Sequence, residues 1–478
     1  MTDLLDKAPM RLPHYLAWIL ASGGTLLDGL SVFLLGMALP LLQHCMVLSA
    51  LEMGLLGAAL VLGAVFGAAI GGRLADRFGR KTIFLLDMLL LALAAGSSAL
   101  VWDPWSLVVA QLLVGVGIGM DFPVSGSYIA ECMPHKQRSR LLVATIAFQA
   151  VGLVLGSLLA VALLHLLPDL RAWRSFFAAE MGVGLLFLLG RLGLPESPRW
   201  LMGQGRNREA IEMLGRFVPS DRRQLDEMAA RLGNTIHYVS KLPPEMLRRP
   251  YSSLFHRAYL RSTLLSSVPW FLMDIATYGI GLFTAVLLAD MHFENPRLPL
   301  IARLSQLAGG TGLIDLFLLF GFLLGLWTVS RFGRIPMQIL GFGGMALGMM
   351  ILWCSTQLPA DSHVLVPMIF LGFILFNLFM NMGPNSTTFI LPTELYPTQL
   401  RATGAGFAAA VAKVGATTGV LVLPLVQHAM GVSTVLLLMT FVSVLGLLAT
   451  WAFGIEGMRM LTLEEHQTSE GGGKVLQH

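Results

Sequence analysis

Long apolar runs constrain this chain more than any other feature. They fall at about 16–42, 51–75, 82–101, 105–130, 141–166, 175–194, 263–289, 312–330, 336–356, 363–391, 403–428 and 433–455. About 20 apolar residues in an α-helix span the roughly 30 Å hydrocarbon core of a bilayer. The runs are continuous and rich in Leu, Ala, Gly and Met. They do not alternate with period two, so they predict helices rather than the strands of a barrel. Only 13% of the 478 residues are charged, about half the share in a soluble domain. The expectation is an all-α membrane protein with twelve transmembrane helices.

The basic residues follow membrane sidedness, so a pI near 9.1 does not point to nucleic acid. Arg73, Arg77, Arg80 and Lys81 share one short loop, and Lys136, Arg138 and Arg140 share another. The opposite side carries Arg171, Arg174, Arg297 and Arg303. The positive-inside rule then puts both termini in the cytoplasm. The N-terminus leads directly into the first helix and reads as an uncleaved anchor. A multi-pass cell-membrane protein is expected, in the inner membrane if the source is bacterial.

The chain repeats itself. RFGR occurs at 77–80 and at 331–334, each time after an even-numbered helix. Glu-x-x-Pro-x-x-x-Arg occurs as Glu131, Pro134, Arg138 and as Glu394, Pro397, Arg401. Two patterns recurring at nearly one shift predict two parallel six-helix halves related by an axis along the membrane normal. The boundaries read as a first bundle at 1–194, a cytoplasmic central loop at 195–261, a second bundle at 262–457 and a cytoplasmic tail at 458–478.

Ionisable groups inside the runs carry the chemistry. A charge at mid-bilayer costs about 2.5–3.5 kcal/mol on insertion scales, so it should face the bundle interior and have a partner. Asp28, Asp121, Asp274 and Lys413 meet this description, with Asp87 and Glu180 less central. Trp270, Asp274 and Tyr278 recur every four residues and form one stripe of the seventh helix. Gly406, Ala410, Lys413 and Thr417 form another on the eleventh. Asn377, Asn381 and Asn385 do so on the tenth, where Gly383-Pro384 interrupts the ladder. Gln149 marks the fifth.

GGRLADRFGRK at 71–81 resembles the loop signature of the major facilitator superfamily, and PESPRW at 195–200 resembles the signature of its sugar-porter and related branches. The resemblance implies the major facilitator fold, two pseudo-symmetric six-helix bundles. It also implies a conformational latch at the cytoplasmic helix ends made of Asp76, Arg77, Arg80, Glu131, Arg138, Arg331, Arg334, Glu394 and Arg401. A narrower set of motifs is similar to the phosphate:proton symporters of plants and fungi. These are WFLMDIATY at 270–278, GIGMDFPVSGSYIAE at 117–131, AFQAVG at 147–152 and MGPNSTTFILPTE at 382–394. That resemblance implies substrate binding by Gln149, Trp270, Asp274, Tyr278, Asn385 and Lys413, and proton coupling by Asp28 and Asp121. Gln111 stands where that family has Arg, Phe122 where it has Tyr, and Ser31 where it has a second acid on the first helix. The Gln111 change removes a positive charge from the expected proton and anion path.

The expected function is secondary active transport of a small polar or anionic solute, phosphate or an organic anion, by proton symport with alternating access. Lys413 would supply a fixed positive charge, and Asp274 would neutralise it in the empty site. A sugar or other metabolite:proton symporter is the second reading. Paired glutamines on the fifth and seventh helices, usual in sugar porters, are not matched here. A non-transporting solute receptor is the third. An enzyme is not expected. Cys45, Cys132 and Cys354 lack metal-ligand spacing, no Gly-rich phosphate loop occurs, and no nucleophile–base set stands out. The sequence therefore suggests no catalytic residue, no metal and no cofactor. The expected partners are solute, protons and lipid, with no nucleic acid, and the protein is expected to be a monomer.

Overall fold

The computed structural model describes residues 2–46, 50–218, 246, 250–290, 299–359 and 362–454. Arg297, the tail at 458–478 and the stretches of the central loop at 219–245 and 247–249 lie outside the described residues. The first half contains α1 (Thr2–Lys7), α2 (Leu12–Ala21), α3 (Gly23–Cys45), α4 (Ala50–Phe78), α5 (Arg80–Leu100), α6 (Pro104–Cys132), α7 (His135–Leu166) and α8 (Trp173–Leu192). Two short helices, α9 (Pro198–Gly203) and α10 (Asn207–Phe217), follow in the central loop, and α11 (Pro250–Leu254) leads into the second half. That half contains α12 (Arg257–Asp290), α13 (Leu300–Phe332), α14 (Arg334–Ser355), α15 (Leu365–Met382), α16 (Pro384–Leu395), α17 (Arg401–Met430) and α18 (Val432–Phe453).

Ten stretches among the described residues are long and apolar enough to cross a membrane. The 34-residue α12 and 33-residue α13 complete the twelve. Two crossings are interrupted. The first breaks at Ser22, between α2 and α3, and the tenth breaks at Gly383, between α15 and α16. Both breaks fall inside apolar runs; Gly383-Pro384 marks the second in the sequence, and Gly23-Gly24 follows the first. Backbone groups freed in this way are tolerated where the helix faces other helices rather than lipid.

The pairing of helices shows the repeat directly. In the first half α3 packs on α7, α4 on α6 and α5 on α8. In the second half α12 packs on α17, α13 on α15 and α14 on α18. These are corresponding members of each half. Between halves, α4 packs on α17 and α7 on α13, again a symmetric exchange. The glycine of each RFGR adopts positive φ, +100° at Gly79 and +91° at Gly333. A side chain is strained at that φ, so the same glycine recurs at both tight joints.

The outside of the bundle is apolar. Trp451, Leu186 and Leu158 are well exposed, whereas Asp28, Asp121, Asp274 and Lys413 are buried. Close backbone approach fixes the register of the first crossing against the fifth. A Cβ at Gly29 would lie 2.0 Å from the Gln149 carbonyl oxygen, and one at Gly152 would lie 2.0 Å from that of Leu26. This reciprocal contact sets Asp28 and Gln149 side by side.

Candidate functional site

Helix α12 presents Trp270, Asp274 and Tyr278 on successive turns, and α17 presents Lys413 opposite them. Lys413 Nζ donates to Tyr278 Oη at 2.6 Å and stands 3.9 Å from Asp274 Oδ2. Trp270 is buried one turn before Asp274 on the same helix. Asp274 Oδ2 has no hydrogen-bond partner among the described residues. An ammonium has three donors, and among the described residues one is taken by an oxygen. Nζ also lies 4.9 Å from the Phe122 ring centroid and 4.6 Å from that of Tyr278. Phe122 belongs to the first half, so the ammonium sits where the halves meet. Phe122 and Trp270 each pack edge-on against Phe389 of α16, with centroids 6.3 and 6.4 Å apart. The walls beside the charge are aromatic.

From the first half, Gln149 Nε2 donates to Asp28 Oδ2 at 2.6 Å. Asp28 is also close enough to act electrostatically on Lys413, Asp274 and Tyr278. The family resemblance groups Asp28 with Asp121 as proton carriers. The structure instead groups Asp28 with the Lys413 cluster and puts Asp121 in a separate cluster with Arg191. Asn385 is buried and turned back toward α15, where Nδ2 donates to Asn381 Oδ1 at 2.8 Å. Its donor ties the two sides of the Gly383 break, and no described contact joins it to Lys413.

The helix ends beside the two RFGR joints form a second cluster. Arg80 Nη2 binds Asp76 Oδ1 at 2.9 Å and Glu131 Oε1 at 2.8 Å. Arg401, from the second half, reaches the same Glu131 oxygen at 3.1 Å. Asp76 Oδ2 accepts from the Thr403 amide and hydroxyl at 2.8 and 2.7 Å. Glu131 Oε2 accepts from Ser197 Oγ at 2.6 Å. Two guanidiniums and two carboxylates thus lock the halves together on this face. In the second half Arg334 binds Glu394 through both oxygens, at 2.8 and 3.1 Å, and also donates to Ser139 of the first half. The symmetry then breaks. Arg138, the counterpart of Arg401, turns to Asp6 at 2.5 Å instead of crossing to Glu394. Arg77 and Arg331 are exposed and join no ion pair among the described residues. Arg77 lines a surface hollow of about 400 Å³ with Arg73 and Trp200, and Arg331 lies over the Trp327 and Phe332 rings. Both point to solvent, so their expected latch role has no support in this geometry. Glu196 of PESPRW caps the RFGR joint, accepting the amides of Arg80, Lys81 and Ser197. Burial holds its carboxyl above the usual carboxylate range despite those three amides.

Sequence reasoning missed Arg191, whose guanidinium supplies Asp121 with the positive charge that Gln111 does not. Gln111 itself turns to Ser98 Oγ at 3.1 Å. Arg191 falls at the end of an apolar run, and that position was the available signal. Phe389 was missed as well.

A family model described as sugar (and other) transporter matches residues 16–469. The chain is 29% identical over 452 residues to the inner membrane metabolite transport protein YgcS of Escherichia coli, covering 95% of this chain and 94% of that one. It is 26% identical over 434 residues to the inorganic phosphate transporter PHO84 of Saccharomyces cerevisiae, covering 83% and 73%. Among solved structures, it is similar to the major facilitator proton:xylose symporter XylE bound to 6-bromo-6-deoxy-D-glucose. There the TM-score is 0.76 at 22% identity, covering 95% of this chain and 98% of that one.

Proposed function

This chain belongs to the sugar (and other) transporter family of the major facilitator superfamily, and from that premise we propose that it carries a small organic carboxylate with an apolar body across the membrane together with protons. It is a multi-pass membrane transporter rather than an enzyme. The observation that carries the solute reading is the Lys413 ammonium, buried between the halves with one donor on Tyr278 and aromatic rings beside it. A carboxylate would take the remaining donors, and its apolar body would lie against Phe122, Phe389 and Trp270. Binding of that anion competes with Asp274 for the ammonium. Asp28 adds a second carboxylate near the same cation, so an incoming anion meets net repulsion unless protons accompany it. This is the physical reason to expect symport. The latch supports alternating access with the cytoplasmic side closed in this conformation, and the basic residues around it support cytoplasmic termini.

Phosphate is the second reading, favoured by the phosphate transporter relatives. A phosphate dianion wants many convergent donors, and Phe122 offers none. A thermal-shift series with benzoate, phosphate and D-xylose on the purified protein separates the readings, because a ligand that binds the folded state raises the melting temperature by mass action. Benzoate is expected to raise it by several degrees, and Lys413→Ala to abolish that rise. A shift with phosphate and none with benzoate would refute the carboxylate assignment.

A further inference from the structure

A second buried charge cluster lies wholly within the first half, apart from Lys413. Arg191 of α8 donates from Nη1 to Asp87 Oδ1 of α5 at 2.9 Å, and its Nη2 lies 2.6 Å from Asp121 Oδ1 of α6. All three side chains are fully buried. Both carboxyls therefore meet at one guanidinium, where each lies in the field of the other. Ser125, one turn beyond Asp121, gives its hydroxyl to the Phe122 carbonyl at 3.2 Å. Asp87 Oδ2 and both oxygens of Asp121 receive no well-aligned hydrogen bond among the described residues. Charge balance puts one proton on the pair, because one guanidinium offsets one carboxylate and a second buried carboxylate is left uncompensated.

The same guanidinium holds the break in the first crossing. Nε donates to the Leu20 carbonyl at 3.0 Å and Nη2 to that of Ala21 at 3.3 Å. These residues end α2, and Ser22 separates them from α3. Gly24, in the first turn of α3, packs on Asp121 so closely that a Cβ there would lie 2.0 Å from its Cγ. Asp28, of the Lys413 cluster, is one turn further along.

Resting on the proton-coupled transport assigned to the chain above, we propose that Asp87 and Asp121 hold one transported proton between them, and that Arg191 transmits its arrival and loss to the joint of the first crossing. With the proton in place, one carboxylate balances the guanidinium, which keeps its grip on Leu20 and Ala21. When the proton leaves, the second carboxylate competes with those carbonyls for the guanidinium and the joint loosens. The step is a proton transfer only, with no bond made or broken between heavy atoms. Asp87 and Asp121 are the proton-binding groups, and Arg191 is a positioning residue. The other titratable or charged groups on the packed elements are bonded elsewhere. Asp28 of α3 binds Gln149, Glu180 of α8 binds Ser31 at 2.5 Å, and Tyr128 of α6 binds the Pro195 carbonyl. His14 of α2 accepts the Arg11 amide, while Arg80 and Lys81 of α5 bind Glu131 and the Leu192 carbonyl.

The test is pH-difference infrared spectroscopy of the full chain in liposomes without solute. One protonated-carboxyl C=O band should titrate in the wild type. It should vanish in Asp87→Asn and in Asp121→Asn, and persist in Glu180→Gln and Asp274→Asn. A band that survives both Asn variants, or that Glu180→Gln alone removes, overturns the proposal. Should an Asn variant fail to fold, Arg191→Lys decides, because its shorter reach must move the titration midpoint of the band, and an unmoved midpoint refutes the triad. A transport arm uses benzoate. Asp87→Asn should lower pH-gradient-driven uptake about tenfold or more, the scale of a typical coupling energy, while benzoate counterflow is retained. Loss of both together would count against the triad. If benzoate shows no wild-type counterflow, the carboxylate reading fails and the infrared bands still decide the triad.

Discussion

Lys413→Ala is expected to weaken benzoate binding about 100-fold, the upper end of the ~1.5–3 kcal/mol that a hydrogen bond to a charged group contributes. The effect is large because the other described groups facing the site are carboxylates, a phenol, amides and rings. Removing the cation also strands a buried carboxylate. Breaking such a pair from one side costs roughly 3–5 kcal/mol in stability, so the melting temperature should fall as well. The two effects separate in the double variant. Asp274→Asn with Lys413→Ala removes the stranded charge, and its melting temperature should recover while its affinity does not. Isothermal titration with benzoate and a thermal melt measure both. Undiminished benzoate affinity in Lys413→Ala would remove the ammonium from the site.

Glu131→Gln is expected to open the face that carries the latch. Glu131 is the carboxylate on which Arg80 and Arg401 converge from opposite halves, and none of the three side chains is exposed. Neutralising it leaves Arg401 without its carboxylate and Arg80 with only Asp76 and the nearby Glu196. The loss, on the order of 3–5 kcal/mol, falls only on the closed state, because the opened face lets water reach both arginines. A shift of that size moves most of the population, since about 5.5 kcal/mol takes an equilibrium from 1:99 to 99:1. Arg77→Cys and Arg331→Cys place spin labels on exposed sites of the two halves, in a background lacking the native cysteines. Pulsed electron resonance should report longer distances in Glu131→Gln. An unchanged distribution would show that the latch does not bias the closed state.

The crossings and the repeat were legible because both are written in local sequence. Apolar length marks a span, and the RFGR glycine recurs because the same positive φ recurs. Lys413 and Asp274 were legible as a pair because charges stand out against lipid-compatible neighbours and each needs a partner. What the sequence hid was the sorting of acids between clusters. Asp28 and Asp121 look alike on their separate crossings, and only packing shows that one faces Gln149 and the other Arg191. Arg191 went unnoticed at the end of its run, because its partners lie far away in sequence, on α5 and α6. Asn385 followed its motif into the expected helix, and its amide donates to Asn381, its neighbour on the stripe that the four-residue spacing marks. Arg77 and Arg331 lie one turn from latch arginines on the same joint, where a motif cannot tell the inward side chain from the outward one.

The departure of Arg138 from the symmetry of the latch bears on how the protein is handled. Asp6 of α1 binds both Arg138, at the start of α7, and Arg199, at 2.8 Å in α9. A six-residue helix therefore straps the fifth crossing to the linker between the halves, on the face that must part during each cycle. An affinity tag or fluorescent fusion placed next to that strap would act on the gate itself, so fusions for turnover measurements are better attached elsewhere.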